Sequence, residues 1–139
     1  MALERTLAII KPDAVKAGNV GNIVGMIEAG GFRIVGMRMV RLTVPQAEAF
    51  YAVHRERPFY ADLVKFMTSG PVVVMTLQAE GAVARWRDLM GPTDSRKASP
   101  DTVRGRYGTD IQHNAVHGSD SLATAAVEVP FFFPTAELV

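Results

Sequence analysis

The segment from Asn114 to Asp120, Asn-Ala-Val-His-Gly-Ser-Asp, contains residue types that can do chemistry. The imidazole of His117 is a usable nucleophile, because an ordinary imidazole is largely unprotonated at neutral pH. Gly118 lets the backbone come close to a ligand, and Ser119 and Asp120 are residue types that cap a helix. The segment therefore predicts an exposed histidine beside a helix N-terminus, where an anion is favoured. A capped turn with a bystander histidine would have the same pattern.

Side chains that suit phosphate groups occur at several other places in the chain. Arginine forks match phosphate oxygens, and hydroxyl groups add further donors. Taken singly, each of these cations is more typical of a solvated surface position. The candidates are Lys11 at the end of the first predicted strand, Arg87, Thr93 and Arg104.

Two aromatic residues and one carboxylate each have two interpretations. Phe59 can stack on a base, or it can begin a helix as a core residue. Tyr51 can donate its hydroxyl to a ribose or to the histidine, and core packing is equally compatible. Glu128 lies on the polar face of the last predicted helix, where it can orient His117 and fix its tautomer. An exposed surface carboxylate would give the same pattern.

The remaining histidines are weaker candidates for chemistry. His54 adjoins a run of charged residues and is predicted to be a solvated surface residue, and His113 has no obvious partner in the sequence. The histidine spacings match no common zinc pattern, and the chain has no cysteine, which excludes thiolate catalysis.

The glycines of residues 18–25 lack both the Walker A ending and the dinucleotide-binding spacing. Any nucleotide binding is therefore expected to proceed without a P-loop.

Length and composition predict one globular domain over residues 1–139. The chain is 48% hydrophobic and 21% charged, with a net charge of +1, so a general polyanion binder is not indicated. The N-terminal residues lack the apolar core of a signal peptide, and no apolar run approaches the ~20 residues that span a bilayer. We therefore expect a cytoplasmic protein with no membrane partner.

The elements that must position these residues alternate between strands and helices. Strands are predicted over residues 6–10, 32–42 and 72–77, and helices around 20–27, 45–53, 59–67, 82–89 and 122–129. Trp86 is predicted to pack in the core, Pro130 is expected to end the last helix, and residues 91–112 are predicted to form a polar loop. This order favours an α+β, ferredoxin-like β-α-β-β-α-β sandwich, an antiparallel sheet with helices packed on it. The fold alone does not decide a function.

Together these segments resemble the nucleoside diphosphate kinase family over nearly the whole chain. The motif Asn-x-x-His-Gly-Ser-Asp is highly specific when Lys-Pro-Asp occurs upstream at this distance. The matching pieces are Arg5-Thr6 through Lys11-Pro12-Asp13, Arg57-Pro58-Phe59, Ser69-Gly70-Pro71-Val72-Val73, and Asn114 through Ser121.

The resemblance implies ping-pong transfer of the γ-phosphoryl group of a nucleoside triphosphate, mainly ATP, to a nucleoside diphosphate. His117 would be the nucleophile through Nδ1, with Glu128 and Ser119 orienting and polarising it. Magnesium would bridge the phosphates, with Asp120 reaching it at most through water. The phosphate or ribose contacts would be Lys11, Tyr51, Arg87, Thr93, Arg104 and Asn114, and the base contacts Phe59, Leu63 and Ile111.

The resemblance also implies a homo-oligomer, a hexamer rather than a tetramer, with no specific nucleic-acid partner. Ser95 stands where many members have a proline, in a loop that makes subunit contacts in the family, so we expect weakened association. Two other functions fit the same fold. An inactive nucleotide-binding module would be expected to lose His117, Lys11 or Arg104, and this chain keeps all three. A phosphohistidine carrier to a protein would need no nucleotide pocket.

Overall fold

The computed structural model describes residues 2–139, whose four strands form one antiparallel sheet in the order β2-β3-β1-β4. The central strand β1 pairs with β3 from Leu3 opposite Glu80 to Ile10 opposite Val73. The short strand β4 pairs with the other side of β1 and sets His117 opposite Ile9. The strands are β1 Leu3–Ile10, β2 Arg33–Val40, β3 Val72–Glu80 and β4 Val116–Gly118.

Helices cover both faces of this sheet, as the predicted ferredoxin-like α+β fold requires. One face carries α2, α5 and α6, and the other carries α3, α4 and α7. The helices are α1 Pro12–Lys16, α2 Val20–Ala29, α3 Val44–Phe50, α4 Tyr60–Met67, α5 Ala82–Met90, α6 Val103–Tyr107 and α7 Leu122–Phe132. Three short 3-10 helices lie at Ala52–His54, Ser95–Lys97 and Thr135–Glu137.

The sequence of β1 explains why the sheet is buried on both sides. Successive side chains of a strand point to opposite faces. Leu7 and Ile9 enter the core beneath α3, α4 and α7, whereas Ala8 and Ile10 enter the core beneath α2 and α5. All four are fully buried, so the second half of the strand is apolar on both faces, whereas its first half carries Glu4, Arg5 and Thr6. Lys11, the residue after Ile10, therefore lies directly at the C-terminal end of this central strand.

Three predictions about the chain's ends and loops are wrong in detail. Pro130 does not end α7, because the helix continues to Phe132 and the buried side chains there hold the last turn against the core. The cap of α7 is Ser121, which accepts a hydrogen bond from the Thr124 amide, and not Ser119 or Asp120. The predicted loop over residues 91–112 contains a 3-10 helix and α6, since Asp94 and Thr102 supply helix caps.

Candidate active site

A cleft of about 540 Å³ lies where the end of β1, strand β4, helix α7 and residues 91–114 meet. It gathers every predicted site residue except Ser119, which is fully buried behind it. The predicted residues that line it are Lys11, Tyr51, Phe59, Leu63, Arg87, Thr93, Arg104, Ile111, Asn114, His117, Asp120 and Glu128. A larger cavity, of about 810 Å³, lies between α1 and α4 and contains none of them.

The ring of His117 is held by a carboxylate that is itself held by a hydroxyl. His117 Nε2 lies 3.0 Å from Glu128 Oε1, and Ser119 Oγ donates to the same oxygen at 2.8 Å. The Leu7 amide donates to Ser119 Oγ at 3.2 Å, which connects this series of hydrogen bonds to β1. A carboxylate only accepts hydrogen bonds, so the neutral ring carries its proton on Nε2 and has its lone pair on Nδ1.

The backbone of His117 is fixed from behind by the indole of Trp86. Trp86 is fully buried, as predicted, and its Nε1 donates to the His117 carbonyl oxygen at 3.2 Å. A Cβ at Gly118 would lie 2.7 Å from this indole and 2.6 Å from Met90 Cε. Glycine at position 118 therefore has a packing reason, in addition to the predicted one that it lets the backbone come close to a ligand.

Two buried cations lie in the cleft without a carboxylate partner. Lys11 and Arg104 are 8% and 7% exposed, and within residues 2–139 neither forms an ion pair. Burial, together with the Arg104 charge, lowers the pKa of Lys11 to about 8, although the Asp13 carboxylate opposes this. Burial, together with Arg87, lowers the pKa of Arg104 to about 10. A buried charge without a partner is costly unless an anion arrives.

Neutral groups of the protein hold these two cations in place. Arg104 donates to the carbonyl oxygens of Gly91 at 3.0 Å and Val116 at 2.9 Å. Lys11 Nζ donates to Asn114 Oδ1 at 2.9 Å. The Asn114 amide nitrogen in turn donates to the carbonyl oxygens of Thr93 and Ile111. Asn114 therefore links the end of β1 to two parts of the preceding loop.

The rim of the cleft is more exposed than its floor. Arg87 Nη1 lies 2.9 Å from Asp120 Oδ1, with side-chain exposures of 43% and 75%. Exposed ion pairs contribute only about 0–1 kcal/mol, so both groups are readily available to a ligand. Phe59 and Ile111, which are 47% and 60% exposed, form an apolar wall with Leu63.

A buried tyrosine lies against the ring of His117. The ring of Tyr51 makes an edge contact with the His117 ring at a centroid distance of 6.2 Å. Its hydroxyl is buried and has no hydrogen-bond partner among the described residues. Burial, together with the Glu128 carboxylate, raises the pKa of Tyr51 above its ordinary value. Tyr51 packs in the core, as one of the two interpretations expects, and it also borders the cleft; donation of its hydroxyl to a ribose or to His117 stays a prediction.

A family model described as nucleoside diphosphate kinase matches residues 4–138. The nucleoside diphosphate kinase of Anaeromyxobacter dehalogenans strain 2CP-C is 55% identical over 138 residues, which cover 99% of this chain and 94% of that relative. The one from Chlamydia muridarum is 56% identical over 137 residues, covering 99% and 97%. The chain belongs to the nucleoside diphosphate kinase family. It is accordingly an enzyme of the phosphotransferase class.

Solved nucleoside diphosphate kinases share this fold almost throughout. The structure from Aquifex aeolicus has a TM-score of 0.97 at 48% identity and covers 99% of this chain and 100% of its own. The structure from Halobacterium salinarum in complex with CDP has a TM-score of 0.95 at 41% identity and covers 99% and 92%.

Several residues that line the cleft were not predicted as site residues, and His54 is the titratable one among them. His54, predicted to be a solvated surface residue, is half-buried and lines the cleft between Tyr51 and Phe59, at ring-centroid distances of 6.5 and 5.4 Å. The spacing of Tyr51 and His54, one helical turn, was the available indication. The third histidine, His113, lies outside this cleft with its ring nitrogen 3.2 Å from Asp110.

Proposed function

We propose that this nucleoside diphosphate kinase transfers the γ-phosphoryl group by a ping-pong mechanism through a phosphohistidine at His117. One observation carries the proposal. The Nε2 atom of His117 is engaged by Glu128, which leaves Nδ1 as the nucleophilic atom in a cleft that also holds two unpaired buried cations. An anion that enters this cleft offsets the cost of burying Lys11 and Arg104.

In the first half-reaction, His117 Nδ1 attacks the γ-phosphorus of the bound triphosphate. The new P–N bond forms as the bond from the γ-phosphorus to the bridging oxygen breaks, and the diphosphate leaves with that oxygen. In the second half-reaction, a terminal oxygen of another diphosphate attacks the phosphohistidine and restores the imidazole. Splitting the transfer in this way lets one cleft serve donor and acceptor in turn.

The protein contributes mainly positioning and charge, as in other phosphoryl transfers. Lys11 and Arg104 stabilise negative charge on the transferring group. Glu128 accepts a hydrogen bond from Nε2–H and stabilises the positive charge that develops on the ring, and Ser119 orients this carboxylate. The remaining polar contacts to phosphates or ribose are assigned to Tyr51, Arg87, Thr93 and Asn114.

The donor set of the cleft fits a magnesium ion that arrives with the nucleotide. Within residues 2–139 there is no cluster of three acidic, cysteine or histidine side chains that could hold a metal by itself. Magnesium prefers oxygen ligands, keeps several waters and commonly shares substrate phosphates with one or two carboxylates. Asp120 is the exposed carboxylate of the rim and would hold the ion through water. When bound, the ion would neutralise part of the phosphate charge.

We further propose that the enzyme assembles as a homo-oligomer, a hexamer in preference to a tetramer. The resemblance supports this state, and β2 offers a feature that suits subunit contact. This strand is an edge of the sheet and exposes Met37 and Met39 by 48% and 57% on one face. Light scattering at micromolar concentration tests the assembly, and a monomer would contradict it.

The location of the enzyme is proposed to be the cytoplasm, where nucleoside triphosphates are produced and consumed. In the described part of the chain, no helix is long and apolar enough to cross a membrane. Cell fractionation followed by activity measurement tests the location.

The mechanism is tested by incubating the protein with γ-labelled ATP and magnesium in the absence of an acceptor. A phosphoenzyme should form whose label is labile in acid and stable in base. A nucleoside diphosphate with a base other than adenine should then remove the label. His117→Ala should abolish labelling and turnover, whereas Glu128→Ala should slow transfer without moving the label. His113→Ala is the matched control, because that ring lies outside the cleft. Acid-labile label on His117→Ala would contradict the assignment, and label that no diphosphate removes would favour a phosphohistidine carrier.

A further inference from the structure

The backbone at Ala115 adopts a conformation that non-glycine residues rarely take. Ala115 has φ +70° and is the one residue other than glycine with a positive φ in residues 2–139. The amide of Val116 donates to the carbonyl oxygen of Asn114 at 2.8 Å. A positive φ combined with a hydrogen bond across three residues marks a strained γ-turn. Such strain persists only where the surrounding structure enforces it, and it concentrates at functional sites.

This turn sets the positions of several groups in the cleft. Before the turn, the Asn114 side chain accepts a hydrogen bond from Lys11 Nζ. Within the turn, the carbonyl oxygen of Ala115 accepts a hydrogen bond from the Lys11 amide at 2.8 Å. On the far side of the turn, the carbonyl oxygen of Val116 receives Arg104 Nη2. His117 follows one residue later. A change in the turn would therefore displace the two buried cations and the nucleophile relative to one another.

A carboxylate from a distant part of the sequence holds the turn. Asp13 Oδ2 accepts a hydrogen bond from the Ala115 amide at 3.1 Å, across 102 positions of the chain. Asp13 lies in α1, two residues beyond Lys11, and it does not line the cleft. It therefore cannot act by touching the nucleotide.

We propose that Asp13 is a positioning residue, which keeps Ala115 in its left-handed conformation and thereby aligns Lys11, Arg104 and His117 for phosphoryl transfer. The proposal rests on the proposed role of His117. The alternative is a purely structural role, in which Asp13 stabilises α1 through the helix dipole, because it is a carboxylate in the first turn, and does not hold the turn at Ala115. The two roles predict different responses to a glycine at position 115, because glycine adopts a positive φ without the steric cost that alanine has.

The experiment measures single-turnover phosphorylation of His117 by γ-labelled ATP at saturating concentration. Asp13→Ala should slow this rate on the order of 10- to 100-fold, the effect of losing a hydrogen bond to a charged group. Asp13→Asn retains an acceptor oxygen and should lose less, on the order of 2- to 10-fold. Adding Ala115→Gly to Asp13→Ala should recover on the order of 5- to 30-fold, because the left-handed conformation no longer depends on the carboxylate.

The matched control is Asp62→Ala, which removes a carboxylate from the first turn of α4, where it has no such amide to hold. A slowing by Asp62→Ala equal to that by Asp13→Ala, or an absence of recovery with Ala115→Gly, overturns the proposal. If Asp13→Ala does not fold, Asp13→Asn is compared with and without Ala115→Gly, and absence of recovery there overturns it equally. Failure of the unchanged protein to label His117 would instead refute the proposed function.

Discussion

The burial of Lys11 predicts that the enzyme gives up stability at neutral pH to keep a positive charge in its cleft. The pKa of Lys11 is lowered from 10.5 to about 8, first by burial and then by Arg104. At 1.36 kcal/mol per pH unit, this difference corresponds to about 3 kcal/mol. The charged form is the disfavoured one, so the cost applies in full wherever Lys11 is protonated in both the folded and the unfolded chain.

The sign of the pH dependence follows from proton binding. Below pH 8 both states hold the proton, and above pH 10.5 neither does. Between these values the unfolded chain binds one proton more than the folded chain, so the free energy of unfolding rises with pH. Lys11→Met removes this titration. The stability of the unchanged protein should therefore rise by about 3 kcal/mol relative to the variant between pH 7.5 and 10.5.

Urea unfolding of both proteins across this pH range, at one protein concentration, measures the difference directly. The hydrogen bond from Lys11 Nζ to Asn114 is made by the titrating group itself, so its change on deprotonation is part of the pH dependence that the comparison measures. Lys97→Met is the control, because Lys97 is exposed, and its stability should follow that of the unchanged protein at every pH. A constant difference between Lys11→Met and the unchanged protein would refute the reasoning.

Three further predictions follow from the cleft and the loop beside it. Purine and pyrimidine nucleotides, with ribose or deoxyribose, should all be accepted, because the proposed base contacts are one aromatic ring, Phe59, and the aliphatic Leu63 and Ile111, and stacking tolerates any base; comparison of kcat/KM across nucleotides measures this. Gly118→Ala should lower the free energy of unfolding by about 1–3 kcal/mol and slow phosphorylation of His117, because the added methyl group would overlap the Trp86 indole; urea unfolding and single-turnover labelling measure the two effects. Ser95→Ala should raise the free energy of unfolding by about 1 kcal/mol, because the buried Ser95 hydroxyl has no hydrogen-bond partner in the described chain; urea unfolding again measures it.

Each of these predictions has an outcome that contradicts it. A preference for one base above about a hundredfold would reveal hydrogen-bond recognition of the base edge. Unchanged stability in Gly118→Ala would mean that the indole moves freely, and its hydrogen bond to His117 would then not fix the backbone. A loss of stability in Ser95→Ala would mean that the hydroxyl is satisfied, as it would be at a contact between subunits.

Local patterns predicted three of the four strands and most helices, whereas the full set of cleft residues was implied by the family resemblance. The run of apolar residues through Ile10 indicates β1. The segment around His117 was expected only to precede a helix, so strand β4, which pairs with β1, was not predicted. The helical extension past Pro130 was not predictable in this way. It depends on the burial of Phe132 against the core, which outweighs the local preference of proline.

The features that sequence interpretation missed depend on contacts between distant residues. The Lys-Pro-Asp motif was noted, but nothing local indicates that Asp13 reaches the Ala115 amide. The indole of Trp86 was correctly predicted to be buried, yet its hydrogen bond to the His117 carbonyl depends on how α5 packs on β4. The charged neighbours of His54 suggested exposure, whereas the aromatic rings of Tyr51 and Phe59 hold it at the cleft.

The apolar wall formed by Phe59, Leu63 and Ile111 has a consequence at the scale of the cell. A catalyst that does not distinguish bases connects every nucleoside triphosphate with every diphosphate in one exchange network. The phosphoanhydride bonds exchanged are chemically alike, so equilibration drives the triphosphate-to-diphosphate ratio toward one common value for all bases. The supply of precursors for nucleic acid synthesis is then tied to the energy charge of the adenine pool, and an imbalance in one nucleotide is spread over the others.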